Sequence, residues 1–318
     1  MQFAAIFPGQ GSQSTGMLAE LAEQYAVITQ TFAEGSDILG KDLWKITQQQ
    51  DATELNQTQN TQPAMLAAGI AVWRVWLEQG GCQPVAAAGH SLGEYSALVA
   101  SGALDYADAM ALVAKRASYM QQAIPAGSGA MAAILGLDDE LIVTICADVS
   151  HKQNQVVEAV NFNSPGQVVI AGAASAVDAA IERLQEAGAK RAIKLAVSVP
   201  SHCSLMKDAA QKLDQELSSV SFSQTQFPVL QNIEAKSYET AAEKQAALSK
   251  QLYKPVKWVD TINNLHQDYA ADSMIEFGPG KVLFGLNRRI NRKLGNICIS
   301  DSASLEKALK LCDSRTGS

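Results

Sequence analysis

The sequence predicts an α/β protein built in two parts, and three observations carry that prediction. Short apolar runs end abruptly at Gly or Pro, helical patterns fill the gaps between them, and a different rhythm of elements occupies the middle of the chain. Alternation of strand and helix marks a largely parallel sheet. Phe3–Phe7 is the first such run, stopped by Pro8-Gly9; residues 85–88 form an Ala-rich second one, stopped by Gly89. Residues 227–233 and Ser273–Phe277 have the same character, the latter ending in Gly278-Pro279-Gly280. Runs this apolar suit strands covered on both faces.

Between residues 127 and 199 the order becomes strand, helix, strand, strand, helix, strand. Residues 131–135 read as a strand, and 138–149 as a helix with Leu141, Ile142, Ile145 and Val149 on one face. Strands at 156–162 and 168–171 flank Asn163-Ser164-Pro165-Gly166, a cluster of turn formers. The following helix takes Ser175 as its N-cap, Val177, Ile181 and Leu184 as its apolar face, and Gly188 just past its end. Residues 192–199 close the unit, which gives the ferredoxin-like split βαβ order. The expected organisation is therefore a core of residues 1–126 and 200–312, an inserted subdomain of 127–199, and a flexible tail of 313–318. The Gln- and Asn-rich residues 48–62 read as a surface loop.

A chain of 318 residues is long enough to bury a sizeable core. The net charge of -7 disfavours nucleic acid as a partner and offers no polybasic membrane anchor. No apolar stretch approaches membrane-spanning length, and the first ten residues lack the positive region and cleavage pattern of a signal peptide. Five cysteines, an odd number without C-x-x-C spacing, argue against a disulfide framework and against a zinc site. A cytoplasmic protein without a metal is the expectation.

Gly89-His90-Ser91-Leu92-Gly93 fits G-x-S-x-G between a predicted strand and a helix-compatible run at 94–100. That is the setting of a nucleophile elbow, in which flanking glycines allow a sharp turn and expose the serine oxygen near a helix N-terminus. Negative charge developing on an attacked carbonyl would meet the Leu92 amide, and the amide of Gln10 in Pro8-Gly9-Gln10-Gly11-Ser12 offers a second donor. The latter loop lacks the third glycine of a dinucleotide site and the lysine of a P-loop. Of the four histidines, His90 sits in the elbow itself, while His151 in a Lys/Gln/Asn-rich loop and His266 in a polar helical run read as solvated. His202 follows Pro200, which breaks a strand and delivers the residue to a loop, so it is the candidate base. Its neighbour Cys203 reads as packing. Arg116 interrupts the apolar stripe of Val113 and Met120 on a helix opened by Asp105. An ion pair, a snorkelling stem, and a bidentate grip on a substrate carboxylate all remain open for it.

Five motifs in one order carry a family likeness: Phe7-Pro8-Gly9-Gln10-Gly11-Ser12-Gln13, Thr61-Gln62-Pro63-Ala64, Gly89-His90-Ser91-Leu92-Gly93-Glu94, Val199-Pro200-Ser201-His202 and Glu276-Phe277-Gly278-Pro279-Gly280. Together they resemble the landmarks of the bacterial malonyl-CoA:acyl-carrier-protein transacylases, to about Leu309. The resemblance implies a hydrolase-like α/β core with a ferredoxin-like subdomain. It implies Ser91 as nucleophile, His202 as base, Arg116 as anchor of the malonyl carboxylate, and the Gln10 and Leu92 amides as oxyanion hole. It also implies that a main-chain carbonyl orients the histidine, at Gln251, and it matches Gln62 and Asn161 to pocket positions, where a turn or core role is equally open. Ser201 before the histidine matches the stand-alone bacterial enzymes; modular relatives often carry Phe there. Malonyl-CoA and acyl carrier protein are the implied substrates, no cofactor is implied, and a monomer is expected. Arg288, Arg289, Arg292 and Lys293 form a basic cluster that reads either as a solvated helix face or as a dock for the acidic carrier protein. Two rivals stand: an esterase whose acid lies between Ser91 and His202, as Asp178 or Glu182 do, and a non-catalytic acyl-binding protein.

Overall fold

Ten strands in two sheets organise the chain, seen in a computed structural model that describes residues 2–197 and 199–313. β1 (Phe3–Phe7) and β2 (Ala86–Gly89) open a six-stranded sheet. β3 (Gly129–Leu135), β4 (Val157–Ser164), β5 (Gln167–Ala173) and β6 (Arg191–Lys194) form a second sheet. β7 (Val229–Gln231), β8 (Lys236–Ser237), β9 (Ser273–Phe277) and β10 (Gly295–Ile299) complete the first, in the order β10-β9-β1-β2-β7-β8. Every pair in it is parallel except β7 with β8.

Strand β1 is buried on both faces, as its unbroken apolar run requires. Phe3, Ala5 and Phe7 join the larger core on one face, while Ala4 and Ile6 join a second core on the other with Leu230, Trp258 and Ile262. This is the period-two alternation of a strand. On the larger side the helix Thr58–Glu78 is buried almost all round, and its Ala and Gly residues let it lie close to the sheet. Phe7 stacks on Phe277 at 5.6 Å between ring centres, with Trp73 edge-on to both.

The second sheet is antiparallel, in the order β4-β5-β3-β6. Its βαββαβ connectivity, with helices Asp139–Gln153 and Ala174–Glu186, is the ferredoxin-like order read from the sequence. Both helices cover one face through Ile142, Ile145, Val149, Val177 and Leu184. The opposite face presents Met131, Val160, Val169 and Ala171 to Cys203, next to His202. One face thus closes a small core, and the other walls the cleft described below.

Several expectations are corrected. Residues 48–62 are not all surface loop: the helix Thr58–Glu78 starts within them, and Asn60, Thr61 and Gln62 are buried. Their polar groups are satisfied locally, as where the Thr61 hydroxyl donates to the Leu55 carbonyl at 2.6 Å. Ser175 is not an N-cap: the helix begins at Ala174 directly from β5, and Ser175 lies in its first turn, bonded to Gln155. The strand expected at 192–199 spans Arg191–Lys194 and pairs only with β3; Ser198 lies outside the described residues. β8 and β10 are edge strands, of two and five residues, that sequence patterning did not announce. Cys82 and Cys312 form a disulfide, with Cα atoms 5.6 Å apart, so the odd count hid a pair separated by 230 residues. Cys146, Cys203 and Cys298 are free and buried. Residues 314–318 of the expected tail lie outside the described residues, and Asp313 ends the last helix. Among the described residues no helix is long and apolar enough to cross a membrane.

Candidate active site

Ser91 stands at the carboxyl end of β2 and just before the helix Gly93–Ala100, with a left-handed φ of 52°. A side-chain-bearing residue held there is strained, and such strain persists only where the surroundings impose it. They do so through glycine: a Cβ on Gly89 would lie 1.9 Å from the Gly93 carbonyl carbon. Asn232, one residue beyond β7, clamps the turn. Its Oδ1 accepts from the Ser91 N–H at 2.7 Å, and its Nδ2 donates to the Gly89 carbonyl at 2.6 Å.

His202 also has positive φ, 67°, and its N–H donates to the Leu252 carbonyl at 2.8 Å. These constraints bring its ring to Ser91 across 111 residues of sequence, with Nε2 2.8 Å from the Ser91 Oγ. Nδ1 lies 2.7 Å from the main-chain oxygen of Gln251. A carbonyl only accepts, so Nδ1 holds the proton and Nε2 is free to accept from the serine hydroxyl. Burial, then the Arg116 cation, hold the imidazole down to about 3, against the pull of the Gln251 carbonyl. The ring is therefore neutral at ordinary pH, the form a base requires.

Arg116 is 1% exposed on the helix Tyr106–Gln122, which Asp105 caps by accepting from the Ala107 and Asp108 amides. Its guanidinium donates to Gln62 Oε1 at 2.7 Å, to Gln251 Oε1 at 3.0 Å and to the Ser91 Oγ at 3.2 Å. All three acceptors are neutral. No carboxylate forms an ion pair with it among the described residues, and its Nε has no partner. A direct ion pair and a snorkelling stem are thereby removed as explanations: the buried Glu94 carboxylate favours the cation only through space, while burial, the larger effect, disfavours it.

The cleft around these groups is lined by Gln10, Gln62, Ser91, Leu92, Arg116, Asn161 and His202, with Met131, Val169 and Val199 as apolar wall. The Gln10 and Leu92 amides donate to no carbonyl among the described residues, which leaves both for a ligand. Gly9 permits this approach of the two loops, since a Cβ there would sit 2.4 Å from the His90 carbonyl oxygen. Asn161 leaves a buried Oδ1 without a partner. The basic cluster is elsewhere: Arg288 and Arg289 are exposed on the helix Val282–Ile290, and Arg292 and Lys293 follow its end, off the helix face. Arg289 bonds Gln167 of β5.

Other candidates fall away. Asp178 pairs with Lys194 at 2.7 Å and Glu182 is solvated, so neither orients His202 as a hydrolase acid would. His90 bonds Asn163 at 2.8 Å; His151 lies in the last turn of the helix Asp139–Gln153 rather than in a loop. Cys203 is fully buried, its thiol pushed up to about 12. Sequence reasoning missed Asn232. Its signal was a Gln-Asn pair closing an apolar run, at the strand end where α/β sheets build their sites.

Fold and cleft define an α/β protein equipped for acyl transfer through serine. Residues 5–291 match the acyl transferase domain family. The chain is 52% identical to the malonyl CoA-acyl carrier protein transacylase of Salmonella typhimurium, covering 97% of this chain and 99% of that one. It is 50% identical to the Escherichia coli K12 protein of that name, covering 98% and 99%. A solved structure of a type II PKS acyl-carrier protein in complex with its malonyl-transacylase matches with TM-score 0.96 and 51% identity, over 98% of this chain and 100% of that one. An acyl carrier protein S-malonyltransferase from Vibrio cholerae matches with TM-score 0.93 and 52% identity, over 96% and 99%. The chain belongs to the malonyl CoA-acyl carrier protein transacylases of the acyl transferase family.

Proposed function

We propose that this chain moves a malonyl group from malonyl-CoA to the phosphopantetheine thiol of acyl carrier protein through a malonyl ester on Ser91. The observation that carries this reading is the buried Arg116 guanidinium, in no direct ion pair among the described residues and 3.2 Å from the Ser91 Oγ. A carboxylate seated on that fork brings the thioester carbon of the same small acyl group to the serine. His202 Nε2 takes the hydroxyl proton as Oγ attacks, and the oxyanion is held by the Gln10 and Leu92 amides. The C–S bond then breaks, and the CoA sulfur leaves with the proton that His202 returns. The second half runs in reverse: the carrier thiol gives its proton to His202, attacks the ester carbonyl, and Ser91 leaves protonated. Gln251 fixes the imidazole tautomer through its carbonyl, so Ser91 and His202 work as a dyad. Gln62 and Asn161 complete the acyl pocket.

The test is intact-mass measurement after mixing with malonyl-CoA without carrier protein. A single malonyl adduct that maps to Ser91 and disappears when carrier protein is added is expected. Full-rate release of CoA to water with no adduct would instead support the esterase reading, and no adduct with no release an acyl-binding protein.

Arg288, Arg289, Arg292 and Lys293 are the proposed dock for the acidic carrier protein. Exposed like-charged side chains act mainly through encounter. Reversing Arg288 and Arg289 to Glu is expected to raise the KM for carrier protein about tenfold and leave that for malonyl-CoA unchanged. An unchanged carrier KM removes the dock from this surface. A cytoplasmic monomer supplying chain elongation in fatty-acid or polyketide synthesis completes the reading.

A further inference from the structure

Glu94, the last residue of the serine motif, is buried in the first turn of the helix Gly93–Ala100, and the mechanism above does not use it. Three donors converge on its carboxylate: Gln231 Nε2 at 2.7 Å, the Asn232 N–H at 2.8 Å and Gln251 Nε2 at 3.0 Å. Two of these belong to residues that hold the catalytic groups. Asn232 clamps the Ser91 turn. Gln251 orients His202 through its main chain, and its side chain donates from Nε2 to the Ser91 carbonyl at 2.9 Å while Oε1 accepts from Arg116.

A carboxamide has one donor end and one acceptor end, and its orientation follows from what each end meets. The Arg116 fork only donates, so it is satisfied by Gln251 only if the oxygen faces it. The carboxylate of Glu94 only accepts, so it draws the amide nitrogen to the opposite side. We propose that Glu94 is a specificity-determining positioning residue, which fixes the orientation of the Gln251 amide and thereby aims the Arg116 fork at the substrate carboxylate. Without an acceptor at position 94, the Gln251 amide loses a reason to keep its nitrogen away from Arg116. A rotated amide sets N–H against guanidinium N–H and pushes the fork out of line. What matters on this account is the acceptor, not the charge. A glutamine at 94 keeps an oxygen for Asn232 and Gln251, and its own NH2 meets Gln231, whose buried Oε1 has no partner and turns to accept.

The inference rests on the proposed malonyl-Ser91 chemistry, and the experiment separates the two. Wild type, E94Q and E94M are assayed for acylation by malonyl-CoA and by acetyl-CoA, since only the malonyl group uses the Arg116 fork. E94M is expected to lower the malonyl-to-acetyl rate ratio about tenfold or more, the effect of losing one buried acceptor, and E94Q to restore it to within about threefold of wild type. Equal slowing of both acyl groups in E94M, with the ratio unchanged, makes Glu94 merely structural and overturns the proposal; so does an E94Q ratio as low as that of E94M. Failure of wild type to form a malonyl adduct would strike the functional reading instead. Should E94M not fold by circular dichroism, NMR of wild type labelled with ¹⁵N-glutamine decides. A slowly exchanging Gln251 side-chain amide supports the clamp, and one that exchanges as fast as surface glutamines overturns it.

Discussion

Replacing His202 by alanine is expected to slow acylation of Ser91 by malonyl-CoA about 10³-fold, within the range by which a positioned base accelerates proton transfer. Gln251 offers its carbonyl, not an acid, to the imidazole, so no second base stands behind His202. The pH dependence follows from the buried ring. Base catalysis requires the neutral imidazole, whose fraction falls as pH drops through the folded-state value; burial and Arg116 have moved that to about 3. Single-turnover CoA release is therefore expected to stay flat from pH 7 to 5, where an ordinary imidazole near 6.5 would be about 97% protonated. A titration near 6.5 would sink this account of the base. The same shift acts on stability: below about pH 6.5 the unfolded chain binds a proton at His202 that the folded ring refuses until about pH 3. Its contribution is thus lost as pH falls through that window, and His202→Ala should flatten this part of the acid-unfolding profile. Retention of more than a tenth of the acylation rate in the variant would remove His202 from the role.

How much of this was legible beforehand depended on how local the signal was. β1 and β9 were read to the residue, because strands buried on both faces show as unbroken apolar runs with Gly or Pro at the end. The helix and strand order of the second sheet was legible for a related reason: turn formers and a clear helix period punctuate it, although of Asn163-Ser164-Pro165-Gly166 only Pro165-Gly166 make the turn and β4 runs on through Ser164. Ser91 was legible because an elbow needs glycines at fixed offsets. His202 was paired with Ser91 by its place after a strand-breaking Pro, but most other features decided by contacts distant in sequence were hidden. β8 and β10 lie at sheet edges, where short strands lean on a neighbour for their pairing. The Cys82–Cys312 pair has no spacing rule, and the polar composition of 58–62 read as surface loop, with only the family likeness at Gln62 pointing to a pocket. Arg116 shows the limit most clearly. The helix period placed it on an apolar stripe, yet only the fold reveals that the acceptors it touches are three neutral oxygens.

Those neutral oxygens set the second large effect. Replacing Arg116 by alanine is expected to lower malonyl transfer about 10²- to 10⁴-fold, since a buried carboxylate deprived of its partner loses about 3–5 kcal/mol. Acetyl transfer should change far less, and in the favourable direction where it changes, because an acetyl group entering the wild-type cleft brings no anion to the buried guanidinium. The preference between the two acyl groups should thus collapse or reverse. Lysine at 116 is expected to restore little. The three donors of an ammonium radiate from a single nitrogen and cannot reproduce the planar spread of the fork, which at present spans Gln62, Gln251 and Ser91 together. The comparison also separates recognition from catalysis, since Arg116 touches the Ser91 Oγ itself. If its main work were to activate that oxygen, malonyl and acetyl transfer would fall by the same factor. Rates of CoA release from both thioesters in wild type, Arg116→Ala and Arg116→Lys measure the split directly, and equal losses would end the carboxylate assignment.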